Sequence, residues 1–302
     1  MPELPEVETI IRDLNKEILG SKIQDAWTDF PKMIKFPKSF EQFKKEIRGK
    51  KIEKIWRRGK NILFELTGVR PLSTHYLLIH QKLTGHLLLG KWKKIKNQWQ
   101  SEIKGPLAED PMNRFLHLMF WLDDGRHPPT TQQLALSDLR KFAKVELLTN
   151  GQLEKELSSL GPEPLEKDFT FEKFKECLKN KRGKIKQILM NQEVIAGIGN
   201  IYSDEILWQA KVHPFKDVSK LRESELKKIY QAMREILPKA IKLGGESISD
   251  FRRISGERGY FDKERKVYRR EGEPCFRCGT KIKRVKLAGR SAHFCSKCQS
   301  NI

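Results

Sequence analysis

The chain has 302 residues, 60 of them Lys or Arg and 39 Asp or Glu, so its formal net charge at pH 7 is +21. That length accommodates two domains with hydrophobic cores and a small extra module, and the charge favours a polyanion such as nucleic acid over a merely soluble, highly charged protein. No apolar run approaches the roughly 18–20 residues that span a bilayer, and the acidic start is unlike a secretory signal, so we expect a cytoplasmic protein.

An amphipathic helix is predicted first, over residues 5–19, because apolar residues recur there at helical spacing and Gly20 supplies a C-cap signal. Short β-like runs separated by turn signals follow, at residues 51–56, 61–66, 76–79, 85–89, 115–122 and 145–148. This half therefore predicts a β-sandwich or barrel opened by one helix. Residues 92–111 and 125–133 are expected to be long loops, either functional or tolerated as surface insertions.

The composition changes at Leu160-Gly161-Pro162-Glu163-Pro164, where we place a linker. Helical patterns follow at residues 171–179, 184–190, 200–211 and 223–243, and a cysteine-containing segment occupies residues 272–302. The predicted fold class is α+β. Its predicted domains are a sandwich over 1–150, a linker over 151–164, a helical domain over 165–260 and a finger over 261–302.

Four cysteines crowd the C-terminal segment, as the pairs Cys275-x2-Cys278 and Cys295-x2-Cys298 with sixteen residues between them. Two such pairs complete the tetrahedral thiolate shell that Zn²⁺ favours, which predicts one structural zinc ion with no open position. The basic stretch 279–294, with a turn at Ala288-Gly289, predicts two short strands joined by a basic tip. Such a hairpin can place an arginine against a phosphate, or can simply be a solvated basic surface.

The N-terminus carries a possible nucleophile. If Met1 is removed, Pro2 presents a free secondary amine; α-amines titrate near pH 8, about two units below lysine. The positive end of the following helix dipole further disfavours the ammonium form. Attack on a sugar C1′ would give an iminium ion, and Glu3 could transfer protons. The alternative is that these residues only begin a helix, with acidic groups that stabilise its dipole.

Together these motifs resemble the formamidopyrimidine-DNA glycosylases and their endonuclease VIII relatives. The matching segments are MPELPEVETI at the start, Arg58-Gly59-Lys60, Gly161-Pro162-Glu163-Pro164, Gly197-Ile198-Gly199-Asn200-Ile201-Tyr202 and the closing finger. They occur in the family's order and span nearly the whole chain. Their details are closer to the formamidopyrimidine branch than to the endonuclease VIII branch.

The resemblance implies a two-lobed monomer with double-stranded DNA in its cleft, the second lobe being a helix–two-turn–helix domain with the zinc finger. It implies a base-excision DNA glycosylase and abasic-site lyase that forms a Schiff base on Pro2, followed by β,δ-elimination. Oxidised or ring-opened bases, chiefly purines, are the expected substrates. One alternative is the same chemistry with a preference for oxidised pyrimidines or hydantoins; another is a DNA-binding protein without catalysis, which would need neither Pro2 nor Glu3.

Further site residues transfer from the family one position at a time. Lys60 and Arg290 match phosphate-gripping residues grouped with Pro2 and Glu3 in catalysis, and Asn200 matches an asparagine on the same backbone. His80 and Tyr268 match further phosphate contacts. Read alone, these side chains could equally be solvated charges, a helix cap or core residues.

An extruded base leaves a gap that the family fills from two loops. Arg140 and Phe142 occupy the second loop's positions, while Leu83 stands where the family has methionine. Leucine is an apolar wedge of similar volume, so intercalation is expected to persist. Leu139 replaces the family's proline, which leaves the opposite-base preference open. Residues 247–260 correspond to the family's lesion-capping loop, without assignable contacts.

Overall fold

The computed structural model describes residues 1–68, 74–125, 131–247 and 250–300. The chain forms two compact units, one of Met1–Ser158 with Gly244–Tyr260 and one of Ser159–Leu243 with Phe261–Ile302. The predicted helical domain, 165–260, includes Gly244–Tyr260, which belongs to the first compact unit. The boundaries of the functional domains stay a prediction. Among the helices of these residues, none combines the length and apolar character that crossing a membrane requires.

The first unit is built around a mixed set of helices and strands. Its helices are α1 Leu4–Ile18, α2 Phe40–Ile47, α3 Pro106–Glu109 and α4 Asn150–Leu157. Its strands are β1 Lys22–Thr28, β2 Ile34–Phe36, β3 Lys51–Arg58, β4 Asn61–Thr67, β5 His75–His80, β6 His86–Gly90, β7 Trp92–Ile95, β8 Gln98–Ser101, β9 Leu116–Asp123, β10 Thr131–Ser137 and β11 Lys144–Leu148. The leading helix and all six predicted β runs are confirmed. Helix α4 occupies the first part of the predicted linker.

Nine of these strands form one sheet in the order β2-β11-β5-β4-β3-β1-β9-β10-β6. Every neighbouring pair is antiparallel except β11 with β2. Ile62 and Ile79 from one half of the sheet share a core with Phe120 and Leu134 from the other half, as expected for the predicted sandwich. The apolar face of α1 joins this core through Ile10 and its helical neighbours, which fixes the N-terminus on the sheet.

Residues 92–111 were predicted to be a loop, and that prediction is wrong. They contain the hairpin β7–β8 and helix α3. The two-residue turn Lys96-Asn97 has φ of 46° and 64°, a left-handed conformation typical of tight hairpins. Trp92 and Leu107 belong to a second core, against which Trp99 packs. Burial of these apolar side chains stabilises the hairpin and the helix, although the basic composition of the segment indicated a loop.

The predicted loop at 125–133 is wrong in part, since β10 begins at Thr131. Residues 126–130 of that prediction lie outside the described residues. The strand was missed because its start is polar, whereas its apolar residues come later and pair with β9 and β6.

The second unit contains the helices and the finger predicted for the C-terminal half. Its elements are α5 Phe171–Leu178, α6 Ile185–Met190, α7 Asn200–Ala210, α8 Glu223–Lys242, β12 Lys283–Leu287 and β13 Arg290–Phe294. The four helices and the hairpin are thereby confirmed. Helix α7 is buried almost throughout, including Asp204 and Glu205, so these carboxylates must find polar partners inside the unit.

Candidate active site

The N-terminal dipeptide lies at the beginning of α1, where both Pro2 and Glu3 are buried. Glu3 is the N-cap, and its backbone N–H donates to Glu6 Oε2 at 2.8 Å. The other carboxylate oxygen of Glu6 accepts the backbone N–H of Glu246 at 2.8 Å. The buried carboxylate of Glu6 therefore fixes the backbone that carries Pro2 and Glu3.

Lys60 lies in the tight turn between β3 and β4, where Gly59 has φ of 58° and the flanking residues pair across the two strands. A glycine suits that left-handed position because it has no Cβ. Lys60 itself is buried, with 6% of its surface exposed. The turn therefore holds its ammonium group at a defined place instead of leaving it on a mobile surface chain.

Arg57 is a residue that the sequence reasoning missed. Its Nε lies 3.1 Å from Glu8 Oε2 on α1, and its Nη1 donates to the carbonyl of Gly59 at 3.3 Å. One guanidinium thus joins the helix that carries Pro2 to the turn that carries Lys60. An arginine at a strand end gives no sequence signal of this role, because the role depends on which helix packs beside it.

His80 ends β5, opposite Asn61 and Lys144 in the sheet. Its Nδ1 accepts the backbone N–H of Lys82 at 2.9 Å, which leaves the proton of the neutral ring on Nε2. Burial, followed by the positive charges of Lys82, Lys60 and Lys144, lowers the pKa of His80 to about 3. At neutral pH His80 is therefore an uncharged hydrogen-bond donor within a cationic group of side chains.

The two loops predicted to fill the gap left by an extruded base are joined to each other. The Thr84 hydroxyl donates to the carboxylate of Asp138, and the backbone N–H of Arg140 donates to Thr84 Oγ1 at 3.0 Å. Arg140 and Phe142 are exposed, Phe142 by 56%, while Leu83 is half-buried. Buried hydrogen bonds thus hold the two loops together at their base, and the side chains of Arg140 and Phe142 are exposed to solvent. Sequence reasoning had not assigned Thr84 or Asp138.

In the second unit, Asn200 and Tyr268 line one cavity of about 600 Å³. The other residues that line it are Arg269, Glu271, Arg284, Ser291 and His293. Asn200 is the first residue of α7, and its Oδ1 has no hydrogen-bond partner among the described residues. A helix N-terminus beside two arginines favours an anionic ligand.

The buried carboxylate of Glu205 holds Tyr268 at that cavity. Its oxygens accept the backbone N–H groups of Lys266, Val267 and Tyr268 at 2.8, 3.0 and 2.8 Å. Burial raises the pKa of Glu205, although these donors act in the opposite direction. Three convergent hydrogen bonds leave this backbone little freedom, so Tyr268 is presented in one place.

Arg290 begins β13 and is exposed. The next residue, Ser291, accepts a hydrogen bond on its carbonyl from Lys186 Nζ at 2.6 Å, and the same ammonium lies 2.6 Å from Asp204 Oδ1. Asp204 also accepts from His293 Nδ1 at 2.9 Å. Arg290 lines a separate cavity of about 200 Å³ with Lys186. The structure thus groups Asn200 with Tyr268 and places Arg290 in the neighbouring cavity.

The candidate residues divide between the two units. The first unit carries Pro2, Glu3, Lys60, His80, Leu83, Arg140 and Phe142, and the second carries Asn200, Tyr268, Arg290 and the four cysteines. Within the first unit, the Arg57 contacts connect the N-terminus to Lys60, and the neighbouring strands connect Lys60 to His80. In the second unit, two buried carboxylates of α7 hold the neighbouring segments: Asp204 accepts from His293 of the finger, and Glu205 accepts from the backbone of Tyr268.

The four cysteine sulfurs, of Cys275, Cys278, Cys295 and Cys298, lie within 4.8 Å of one another. Zinc–thiolate bonds of about 2.3 Å in a tetrahedron separate sulfurs by about 3.8 Å, so the four thiols fit one zinc ion. The cluster packs against Trp208, Val267 and Ile282. It is a structural zinc site that joins the hairpin to the helical part of the unit.

Removing the metal is expected to unfold the hairpin, because zinc ligation stabilises a segment this short. After chelation, the backbone amides of β12 and β13 should exchange hydrogen faster, while those of β3–β5 in the first unit should not change. Cys298→Ser should give the same pattern and lose zinc by elemental analysis. Cys177→Ser, on α5, is the matched control and should retain one zinc per chain. A metal-free protein with a fully protected hairpin would contradict the assignment.

Three family models match the chain. The formamidopyrimidine-DNA glycosylase N-terminal domain matches residues 1–145, the formamidopyrimidine-DNA glycosylase H2TH domain matches residues 160–252, and the zinc finger found in FPG and IleRS matches residues 272–301. Formamidopyrimidine-DNA glycosylases of Lactococcus lactis subsp. cremoris and Streptococcus mutans serotype c are 39% and 38% identical, each with 99% of both chains covered.

Solved structures from Lactococcus lactis are similar over the same length. A variant bound to Fapy-dG-containing DNA has a TM-score of 0.82 at 38% identity and covers 99% of this chain and 100% of its own. The complex with abasic-site DNA has a TM-score of 0.81 at 38% identity, with 99% of both chains covered. A complex with oxidized-pyrimidine DNA has a TM-score of 0.81 at 38% identity, covering 99% and 100%. Both the sequence and the fold of this chain are thus similar to these relatives over 99% of its length.

Proposed function

The chain belongs to the formamidopyrimidine-DNA glycosylase family, and on that premise we propose that Pro2 is the nucleophile and Glu3 the proton-transfer group of its reaction. The protein is a DNA glycosylase of base excision repair with abasic-site lyase activity. Its partner is damaged double-stranded DNA. The observation that carries the catalytic assignment is the buried Pro2-Glu3 dipeptide at the start of α1, held by Glu6 and adjoining the Lys60 turn through Arg57.

In the proposed reaction, the lone pair of the freed Pro2 nitrogen attacks C1′ of the damaged nucleotide. The bond between C1′ and the base breaks, and the base leaves with a proton that Glu3 helps to deliver. The C1′–O4′ bond then breaks as the ring oxygen takes up a proton, and the resulting iminium ion of the opened sugar acts as an electron sink. Loss of a C2′ proton breaks the C3′–O bond and expels the 3′ phosphate. Loss of a C4′ proton then breaks the C5′–O bond and expels the 5′ phosphate, so that the strand is cut on both sides.

The remaining candidate residues are proposed to hold the DNA. In the first unit, Lys60 and His80 contact backbone phosphates, and the neutral His80 donates a hydrogen bond from Nε2. In the second unit, Asn200, Tyr268 and Arg290 contact backbone phosphates. Extruding a base costs a few kcal/mol, which wedge residues offset by filling the gap. Arg140, Phe142 and Leu83 are proposed for that place, because two of them are exposed on loops joined at their base.

We propose oxidised or ring-opened purines as the substrates, and the cytoplasm as the place of action of a monomeric enzyme. The competing proposal is the same chemistry with a preference for oxidised pyrimidines or hydantoins. Leu83 and Leu139, which alter both gap-filling loops relative to the family, concern the opposite base and do not decide between these lesions. A relative whose solved structure contains an oxidized pyrimidine in DNA makes that alternative worth testing. We further propose domain limits of 1–150 for catalysis, 151–164 for the linker, 165–260 for DNA binding and 261–302 for the zinc finger.

Borohydride trapping tests the catalytic proposal. The wild-type protein, with Met1 removed, should form a covalent adduct with a duplex containing an abasic site, because borohydride reduces the iminium ion to a stable amine. Peptide mapping should locate the adduct on Pro2. A set of duplexes with purine and pyrimidine lesions would rank the substrates. If no adduct forms on an abasic site or on any lesion, the protein is not the proposed enzyme.

A further inference from the structure

The segment Gly244–Tyr260 follows α8 in the chain but belongs to the first unit, where it meets the carboxylate that organises the proposed catalytic dipeptide. The N–H of Glu246 donates to Glu6 Oε1, whose partner oxygen holds the N–H of Glu3. Gly245 has φ of 80°, and a Cβ there would lie 2.9 Å from the Glu6 carboxylate. The start of the segment is therefore packed directly against the Glu3–Glu6 pair.

Further along, the described part of the segment is anchored on both the helix and the sheet of the first unit. Arg253 forms two hydrogen bonds with Asp13 of α1, at 3.0 and 2.7 Å. Phe251 and Ile254 belong to the main core, and the Ile254 carbonyl accepts the N–H of Leu89 at 2.8 Å. These contacts hold this part of the backbone in one conformation against the C-terminal half of α1 and against the sheet.

The residues after α3 add a second, buried set of contacts. Arg252 has 2% of its surface exposed, and its Nε and Nη2 donate to the two oxygens of Asp110 at 2.7 and 3.2 Å. Burial alone would raise the pKa of Asp110, but the hydrogen bonds from Arg252 and Met112 and the nearby arginine charges bring it below its ordinary value. The pair is therefore ionised and bidentate.

A hydrogen-bond chain extends the same connection. Asn113 donates to the carbonyls of Gly256 at 3.2 Å and Pro106 at 2.8 Å, and its Oδ1 lies 3.1 Å from His86 Nε2. Gly256 has φ of 82°, and a Cβ there would lie 2.8 Å from Asn113 Nδ2 and 3.0 Å from the Leu107 nitrogen. Only glycine permits this close approach.

A buried ion pair adds little net stability, because desolvation offsets the attraction, but it can define one arrangement of two segments. Here the arrangement concerns a segment that touches the Glu3–Glu6 pair. We propose that Asp110 and Arg252 are positioning residues that hold residues 250–260 as a wall for the extruded base. This proposal rests on the proposed function. The wall should affect the reaction only when a base is present, because an abasic sugar has no base for the wall to contact. A damaged nucleotide and an abasic site both react with Pro2 at C1′, so their difference isolates the contribution of the wall.

Single-turnover kinetics on two duplexes test this role: one carries a ring-opened purine and the other an abasic site. Asp110→Asn removes the charge of the pair, and Gly256→Ala forces the two segments apart by a different route. Both should lower the rate of base excision by about 10–100-fold, as expected for misplaced contacts, and change abasic-site cleavage by less than about twofold. Glu109→Gln, an exposed change on α3 beside Asp110, is the matched control and should alter neither rate.

Retained abasic-site cleavage also shows that each variant is folded with its catalytic dipeptide in place. Hydrogen exchange of residues 250–256 should rise in Asp110→Asn and Gly256→Ala and not in the control. Equal losses on the two duplexes would overturn the positioning role and indicate a merely structural one. Unchanged excision in both Asp110→Asn and Gly256→Ala would overturn it as well. A wild-type protein inactive on both duplexes would overturn the proposed function itself, which distinguishes that failure from the others.

Discussion

A form of the protein that retains Met1 is expected to lose both base excision and abasic-site cleavage, by about 10⁴-fold or more, as when an enzyme loses its nucleophile. With Met1 attached, the Pro2 nitrogen is part of an amide and its lone pair is delocalised into the carbonyl, so it cannot attack C1′. Met1 is 36% exposed, whereas Pro2 behind it is buried. DNA binding should change little, because none of the proposed phosphate contacts involves the amine.

The comparison needs homogeneous N-termini. Protein with Met1 removed, protein with one additional residue before Pro2, and a Pro2→Gly variant can be verified by intact mass. Cleavage of an abasic duplex and the dissociation constant are then measured for each. One additional residue after Ile302 is the matched control and should leave the rate unchanged. Full activity in protein whose Pro2 is demonstrably acylated would exclude the terminal amine as the nucleophile.

Elements with strong local signals were predictable from sequence. Helix α1 followed from the spacing of Val7, Ile10 and Leu14, and all three are buried. The zinc site followed from the spacing of four cysteines. The hairpin of the finger followed from Ala288-Gly289, both of which have positive φ. In each case a few neighbouring residues determine the local structure, so no knowledge of distant contacts was needed.

The hairpin β7–β8 was missed because its signal is not local. Its first strand carries two exposed lysines, Lys93 and Lys94, and its turn is Lys96-Asn97 instead of the more frequent Asn-Gly. What stabilises it is contact with Trp27 and Trp121 across the sheet, for which Trp99 supplies the partner ring at 5.2 and 5.9 Å between centroids. Such aromatic pairing becomes apparent only once the strands are placed.

The candidate site shows the same limit. Family resemblance predicted Pro2, Lys60 and Asn200, but not the groups that position them. Arg57 acts through a helix nearly fifty residues earlier in the chain, and Arg253 finds its partner Asp13 across 240 residues. The location of the segment Gly244–Tyr260 in the first unit depends on such long-range pairs. Because sequence spacing carries no information about them, the domain limits drawn from sequence differ from the compact units.

Glu3→Gln is expected to lower the rate of base excision by about 10²–10⁴-fold, the range typical of a lost general acid or base. Gln is close in size to Glu and keeps a side-chain oxygen that can accept the N3 backbone N–H of the capping box. The other bond of that box, from the backbone of residue 3 to Glu6, is unaffected, so α1 should stay intact. Binding to a lesion duplex should therefore be preserved. Glu17→Gln, an exposed change near the other end of α1, is the matched control and should leave the rate of excision unchanged.

The informative quantity is the ratio of the two steps. Departure of a base needs a proton, whereas an abasic sugar has already lost its base, so Glu3→Gln should reduce excision more than cleavage of an abasic duplex. Single-turnover rates on both duplexes measure this ratio, and dissociation constants separate it from binding. Excision at the wild-type rate would move proton delivery to another group, and the buried carboxylate of Glu6, which accepts the N–H of residue 3, is then the next to test. Equal losses on both duplexes would instead assign Glu3 a role in the iminium step, since that step is common to the two reactions.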